Sequence, residues 1–141
     1  MTVMESAVQA MLAMKTVAVA GLSDRPERAS HEVAAFLQRQ GFRIVPVNPR
    51  HAGERILGEP CHASLAEAVA AARAEGREIG WVDIFRRPDD ALAVVDEAIA
   101  LGLRGVWLQL GIVNELATAR ARAAGLLAVQ DRCSKIEWMR R

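Results

Sequence analysis

The sequence has few cysteines, almost no net charge and no long apolar run. Its 141 residues include two cysteines, Cys61 and Cys133, which are too few for a disulfide framework and lack metal-type pairing. The 18 Lys and Arg residues balance 17 Asp and Glu residues, so no long-range field attracts nucleic acid or a membrane surface. These shortages exclude a disulfide-stapled protein and argue against a general nucleic-acid binder.

The N-terminal segment also lacks the features of a targeting sequence. Residues 1–14 carry a mild apolar pattern interrupted by Glu5, without a basic start. This pattern predicts a short amphipathic helix rather than a signal peptide or a membrane span. The three histidines do not cluster with the cysteines, so we predict no metal site. We expect a cytoplasmic monomer or homodimer with neither nucleic-acid nor membrane partners.

Short apolar runs alternate with helical patterns through residues 15–141, which we expect to form a single domain. The predicted strands are residues 16–20, 43–47, 80–84, 105–108 and 126–129. Short connections and strands that are apolar on both faces are typical of a Rossmann-type α/β fold. We therefore predict a doubly wound parallel sheet of about five strands with helices on both faces. Ligands of such sheets bind beyond the carboxyl ends of the strands.

The loop after the first predicted strand, residues 21–30, has features of an anion site. Only one glycine of the three-glycine NAD fingerprint, Gly21, is present, so the standard NAD turn is not matched. Gly21 still permits close backbone approach, and Ser23 and Ser30 offer hydroxyl groups. The following helix offers free N–H groups, and Arg28 adds positive charge. The alternative is a solvated turn with a serine cap.

The loop after the second predicted strand reads Asn48-Pro49-Arg50. An NAD site usually places a carboxylate here to accept the ribose hydroxyls. This chain has a cation instead, which suits a phosphorylated ribose, as in NADP or the 3′-phosphate of coenzyme A. The alternative is a simple Asn-Pro turn with an exposed arginine.

The loops after the third and fourth predicted strands add apolar and flexible positions. Phe85 is placed to lie against a planar or extended ligand segment, and Arg86 stands at the mouth of the expected crevice. Gly111 leaves room for close backbone approach. We expect Trp107 to lie in the core, and Asp83, inside a strand pattern, to be buried and hydrogen-bonded.

Together these motifs resemble the stand-alone coenzyme A-binding domain proteins, which are similar to the nucleotide-binding domain of the succinyl-CoA synthetase α subunit. The resemblance covers about residues 15–137. It is carried by Gly21-Leu22-Ser23, Arg28-Ala29-Ser30, Val45-Pro46-Val47-Asn48-Pro49, Val82-Asp83-Ile84-Phe85-Arg86-Arg87-Pro88, Trp107-Leu108-Gln109-Leu110-Gly111 with Asn114-Glu115, and Asp131-Arg132-Cys133 with Lys135. It implies a Rossmann fold that holds coenzyme A across the strand ends.

The resemblance also implies three groups of cofactor contacts. Those to the pyrophosphate come from Gly21, Ser23, Arg28 and Ser30. Those bordering the 3′-phosphate end of the adenosine come from Asn48, Pro49 and Arg50. Those lining the path of the pantetheine come from Phe85, Arg86 and Gly111. The second domain of the synthetase subunit, which bears its phosphorylated histidine, has no counterpart in these residues, so the ligase activity is not expected with the fold.

No catalytic constellation is visible, so we expect no independent enzyme. The one candidate nucleophile is Cys133, flanked by the cations Arg132 and Lys135, which favour a thiolate. If its thiol faces the pantetheine, it is placed to form a mixed disulfide with coenzyme A; otherwise it is structural.

Two other functions remain open alongside the binding of coenzyme A or a short acyl-CoA. The first is an enzyme that uses NADP or another nucleotide on the same fold. The second is an interaction domain with an empty crevice, which presents Trp81, Trp107 or Trp138 to a partner.

Overall fold

A computed structural model describes all residues, 1–141, and contains one five-stranded parallel sheet between two layers of helices. The strands are β1 (Thr16–Ala20), β2 (Arg43–Val47), β3 (Arg55–Ile56), β4 (Glu59–Pro60), β5 (Trp81–Ile84), β6 (Gly105–Leu108) and β7 (Leu127–Val129). The helices are α1 (Val3–Leu12), α2 (Ala29–Arg39), α3 (Leu65–Ala74), α4 (Pro88–Leu101), α5 (Glu115–Ala123) and α6 (Ser134–Met139). None of these helices combines the length and apolar character that crossing a membrane requires.

The order of strands in the main sheet is β2-β1-β5-β6-β7, and every neighbouring pair is parallel. This confirms the predicted doubly wound sheet. Strand β2 lies on one side of β1, and β5, β6 and β7 follow on the other side. The direction of winding therefore reverses between β1 and β5. Ala20 pairs with both Val47 and Ile84, and these three strands therefore end at one level. A crevice is expected at such a reversal point.

Side chains of the sheet alternate between two apolar layers. In β1, Val17 and Val19 pack with α1 and α2, whereas Ala18 and Ala20 pack on the face covered by α3, α4 and α5. All four residues are buried. Burial on both faces explains why the strands read as continuous apolar runs in the sequence.

The helices differ in how they begin. The side chains of Thr2, Ser64 and Asn114 accept backbone N–H bonds at the starts of α1, α3 and α5. Helix α4 begins with Pro88, which has no backbone N–H and so leaves one fewer donor to satisfy at the start of the helix. Helix α2 has neither device, because its N-cap residue, Arg28, makes no side-chain capping bond. The start of α2 therefore keeps unused donors.

Two short elements were not predicted from the sequence, the antiparallel pair β3–β4 and helix α6. Each is too short to show a hydrophobic period. Strands β5 and β7 also begin one residue later than predicted, which is within the usual uncertainty of element ends. Helix α1 contributes Met11 and Leu12, both fully buried, to the core beside α2.

The tryptophans pack inside the molecule. Trp81 and Trp107 are fully buried, with ring centroids 5.4 Å apart. Their indole N–H groups donate to the carbonyl oxygens of Met14 and Arg132. The core placement of Trp107 is confirmed. The alternative that put Trp81 or Trp107 at a partner surface is wrong, because neither ring is exposed. Trp138 is half-buried.

Candidate anion-binding cleft

A polar cleft of about 710 Å³ opens at the carboxyl ends of β1, β2 and β5. Most of the predicted site residues line it, namely Gly21, Ser23, Arg28, Ser30, Asn48, Arg50, Phe85 and Arg86. Pro49 lines a neighbouring cleft, and Gly111 lines neither. The reversal point of the sheet thus brings three separate loops of the chain to one place, as the topology requires.

Gly21 forms the floor of the polar cleft. Its φ of +84° lies in the left-handed region, and a Cβ atom there would collide with the carbonyl oxygen of Phe85. The Gly21 N–H donates to the carbonyl of Val47 at 2.8 Å, and the Phe85 N–H donates to the carbonyl of Ala20 at 2.9 Å. Glycine is therefore required both by the backbone conformation and by the close approach of the β5 loop.

The two serines of the first loop shape it through backbone contacts. Ser30 is buried, and its Oγ accepts the Ser23 N–H at 3.0 Å. The Ser23 Oγ in turn accepts the Arg25 N–H at 3.1 Å. Each hydroxyl acts as an acceptor in these bonds, so its own hydrogen remains free to donate. The serine cap expected as the alternative is absent, because the cap position of α2 is occupied by Arg28.

The first turn of α2 presents three unused backbone donors to this cleft. The N–H groups of Ala29, Ser30 and His31 have no hydrogen-bond partner in the protein. Ala29 and Ser30 line the cleft. Free donors and the positive end of the helix dipole make an uncapped helix start a binding site for anions.

Arginine side chains add positive charge around these donors. Arg28, Arg50 and Arg86 all line the cleft, and none of them forms an ion pair. Arg25 is the exception, since its Nε lies 3.4 Å from a carboxylate oxygen of Glu27. Three guanidinium groups without carboxylate partners therefore remain available to an anionic ligand.

Asn48 holds the second loop against the first. It is buried, and its Nδ2 donates to the carbonyl of Leu22 at 3.0 Å. Its Oδ1 accepts the Arg50 N–H at 3.0 Å, at the start of a short 3-10 turn over Pro49–His51. The sequence placed Asn48 beside the ligand, whereas the structure shows its amide engaged with the protein. Asn48 thus positions Arg50.

A second cleft of about 550 Å³ lies on the α3 and α4 side of the same strand ends. Its lining is mixed, and its apolar part includes Val47, Pro49 and Leu65. Asp89 and Glu97 lie among its other lining residues. Arg86 lines both clefts, so the two spaces adjoin along the end of β5.

Gly111 lies in the loop after β6 and lines neither cleft. Its φ is +84°, and its N–H donates to the Asp131 Oδ1 at 2.8 Å. Because Gly111 lines neither cleft and β6 is one strand beyond the reversal point, its place on a pantetheine path stays a prediction. The glycine serves the turn itself.

Comparison with known proteins decides the family. Residues 15–139 match the family described as CoA binding domain. This chain belongs to the CoA-binding domain family. Membership supports a coenzyme A-binding role in general, and it confirms the resemblance drawn from the loop motifs.

The CoA-binding domain also has relatives of similar length. The uncharacterized protein YneT of Bacillus subtilis (strain 168) is 36% identical over 122 residues, which cover 86% of this chain and 84% of YneT. The structure of cell-free ID.343 from Thermus thermophilus is 34% identical with a TM-score of 0.83, and the match covers 96% of this chain and 97% of that one. A hypothetical protein from Pyrococcus horikoshii OT3 is 31% identical with a TM-score of 0.85, covering 96% and 90%.

A histidine in the cleft of this CoA-binding domain was missed by the sequence reasoning. The His51 ring lies with Nε2 3.5 Å from an oxygen of Asp24 and Nδ1 3.5 Å from an oxygen of Glu54. Asp24 belongs to the first loop, whereas the other two residues belong to the second. His51 and Glu54 are local neighbours at i and i+3, but Asp24 joins them only when the two loops meet.

Asp83 forms a closed buried network behind the cleft. The Gln109 Nε2 donates to the Asp83 Oδ1 at 2.5 Å, and the Ser134 Oγ donates to the Asp83 Oδ2 at 2.8 Å. Asp83 is fully buried, and this desolvation raises the pKa of its carboxyl to about 7. The expected buried, hydrogen-bonded Asp83 is confirmed, and the network ties the start of α6 to β5 and β6.

The two thiols lie in different surroundings. Cys61 is buried, its Sγ donates to the carbonyl of Asn48 at 3.6 Å, and burial raises its pKa. Cys133 is half-buried at the N-cap of α6, and both cysteines are free. A raised pKa makes Cys61 a poor nucleophile.

Proposed function

We propose that this protein binds coenzyme A, or a short acyl-CoA, through its nucleotide and pyrophosphate at the carboxyl ends of β1, β2 and β5, without a reaction of its own. The observation that carries this proposal is the uncapped start of α2, which faces a cleft lined by three unpaired arginines. Family membership supports the choice of ligand.

The pyrophosphate is assigned to the start of α2. The N–H groups of Ala29 and Ser30 supply uncharged donors at the positive end of the helix dipole, and Arg28 supplies a charged one. Gly21 leaves this floor free of side chain, so phosphate oxygens can approach the backbone. A diphosphate satisfies donors that the folded protein leaves unused.

The 3′-phosphate is assigned to Arg50. This residue is exposed on the 3-10 turn, and the bond from its N–H to Asn48 fixes where the side chain begins. A guanidinium pairs with a phosphate through two parallel bonds. A ligand whose ribose lacks a phosphate would leave Arg50 without an anion to bind.

The adenosine is assigned to the second cleft. The apolar part of its lining, with Val47 and Pro49, suits a flat base, and Pro49 is the neighbour of Arg50. The carboxylates of Asp89 and Glu97 accept hydrogen bonds, as an exocyclic amine requires, and they disfavour phosphate. Phe85 then lies beside the remaining pantetheine arm, where the resemblance places it.

The absence of catalysis is proposed from the cleft's own contacts. Nucleophilic catalysis needs a hydroxyl or thiol within hydrogen-bond reach of a base. The hydroxyls of Ser23 and Ser30 accept backbone N–H groups, and neither contacts the His51 ring. The cleft therefore offers binding groups without an activated nucleophile.

Thermal shift measurements with four ligands test this function. Coenzyme A, 3′-dephospho-coenzyme A, NAD and NADP are each titrated over the same concentration range, and a ligand that reaches about 100 times its dissociation constant stabilises the fold by about 2.7 kcal/mol. This corresponds to a rise in Tm of roughly 8 °C for a domain of this size. We expect the shift with coenzyme A at the lowest concentration. A shift with NADP alone supports the nucleotide-dependent enzyme, and no shift with any ligand supports the interaction domain.

Arg50→Ala tests whether Arg50 contacts the 3′-phosphate of coenzyme A rather than its pyrophosphate. Loss of one charge-assisted contact is expected to weaken coenzyme A binding by about 10-fold, or about 1.4 kcal/mol, and to leave 3′-dephospho-coenzyme A unchanged. Arg39→Ala is the matched control, because this arginine is exposed at the other end of α2 and has no ion-pair partner. Equal losses for the two ligands would remove Arg50 from the phosphate contact.

A further inference from the structure

The group formed by Asp24, His51 and Glu54 is used by none of the assigned ligand contacts. One imidazole nitrogen and two carboxylate oxygens of these residues lie within 4.8 Å of one another. Nitrogen and oxygen donors in one cluster match the ligands of divalent transition-metal cations. The group sits at the edge of the polar cleft, since Asp24 and His51 are both among its lining residues.

The distances fit a metal centre with little movement. Zinc ligands at about 2.1 Å in tetrahedral geometry lie about 3.4 Å apart. The His51 Nε2 and the Asp24 Oδ1 are already 3.5 Å apart. The Glu54 side chain, 57% exposed, lies 3.5 Å from the other ring nitrogen and must turn toward the Nε2 edge. Asp24 and Glu54 lie at opposite nitrogens of the ring, so Glu54 must rotate before both carboxylates can share one ion with Nε2.

The backbones that carry these ligands are held in place by other contacts. The Glu54 N–H donates to the carbonyl of His51 at 3.0 Å, and the Cys61 N–H donates to the carbonyl of Glu54 at 2.8 Å. The Asn48 Nδ2 bond to Leu22 joins this turn to the loop that contains Asp24. Such outer contacts keep metal ligands near their binding geometry.

The charges of the three ligands themselves also match a dication. Two carboxylates neutralise a divalent cation when the imidazole is uncharged. Three protein ligands leave a coordination position open, and the cleft on that side is where the phosphates of a nucleotide are assigned.

We propose that Asp24, His51 and Glu54 bind a divalent cation of the zinc class at the edge of the cleft, with an open position for a ligand phosphate oxygen. Binding of the cation alone does not depend on the proposed function. Only the coordination of a phosphate rests on it.

Calorimetric titration of the full chain with zinc chloride, without nucleotide, tests the site. We expect one bound ion per chain, and we expect His51→Ala and Asp24→Asn each to weaken its binding by more than about 10-fold, the loss that even an outer-shell change produces. His62→Ala is the matched control, because this histidine lies outside the cleft and its contacts to β2 are made by its backbone. It is expected to retain the wild-type affinity.

The outcomes separate this site from the proposed function. Wild-type protein that binds no zinc, or equal zinc affinity in the wild type, His51→Ala and Asp24→Asn, overturns the metal site. Coenzyme A is then titrated with and without zinc, and we expect tighter binding with the ion. Zinc binding that leaves coenzyme A affinity unchanged overturns the shared phosphate contact. Zinc binding without any coenzyme A binding refutes the proposed function and leaves the metal site standing.

Discussion

Replacement of the buried Asp83 by Asn is expected to stabilise this protein at neutral and alkaline pH. Burial raises the pKa of Asp83 from 3.8 to about 7, so the folded state disfavours the ionised carboxylate. The folded protein holds this proton at pH values where the unfolded chain has released it. The stability from this proton is complete below pH 4 and is lost as the pH rises to about 7.

The magnitude follows from the difference between the two pKa values. A difference of about three pH units, at 1.36 kcal/mol per unit, corresponds to about 4 kcal/mol between pH 4 and pH 8. Asn resembles the protonated carboxyl, because its oxygen can accept the Gln109 N–H and its amide can donate to the Ser134 hydroxyl. Asp83→Asn therefore keeps the network without the ionisation.

Urea denaturation of both proteins from pH 4 to pH 9 measures this effect. We expect similar free energies of unfolding near pH 4 and an advantage for Asp83→Asn that grows to about 4 kcal/mol at pH 8. Ser134→Ala is a useful comparison, since it removes a hydrogen bond to the same carboxyl without removing its charge. An Asp83→Asn protein that is less stable than the wild type by the same amount at every pH would refute the reasoning.

Two further predictions concern the cleft and the thiols. Gly21→Ala is expected to lower the free energy of unfolding, measured in urea, by more than Gly41→Ala does. Both glycines have a positive φ, so Gly41→Ala should lose about 1–2 kcal/mol from backbone strain alone. Only at Gly21 would the added Cβ also collide with the carbonyl oxygen of Phe85. Equal losses would show that the close approach of Phe85 is unimportant. Incubation with coenzyme A disulfide is expected to place one coenzyme A on Cys133 by thiol exchange, with release of the other, and to spare the buried Cys61. Mass spectra without an adduct on Cys133 would end the redox hypothesis.

The main strands and the position of the cleft were predictable because their signals are local. A segment such as residues 16–20, ending at Gly21, is apolar throughout since both faces of the sheet are covered. Once alternating strands and helices establish a parallel sheet, the carboxyl ends of its strands must meet at one edge. Arg28, Arg50 and Arg86 could therefore be brought to one cleft without knowledge of the coordinates.

The roles of several residues were not predictable from their neighbours in the chain. Pro49 and Gly111 lie outside the polar cleft because the second loop turns toward the α3 side and β6 lies one strand too far along. Asn48 offered a plausible ligand contact in the sequence, but its amide bonds to Leu22. His51 gains its carboxylate neighbours from one residue nearby and one in another loop.

The layered α/β architecture, the strand ends and the cationic character of the cleft follow from the sequence, because burial patterns and helix signals extend over a few consecutive residues. Which side-chain polar atoms are already bonded within the protein depends on how the chain folds. The Asn48 amide and the Asp83 carboxylate are both occupied only because segments from distant parts of the chain pack against them. Hydrogen-bond pairing between loops depends on where packing places them, and no local pattern contains that information.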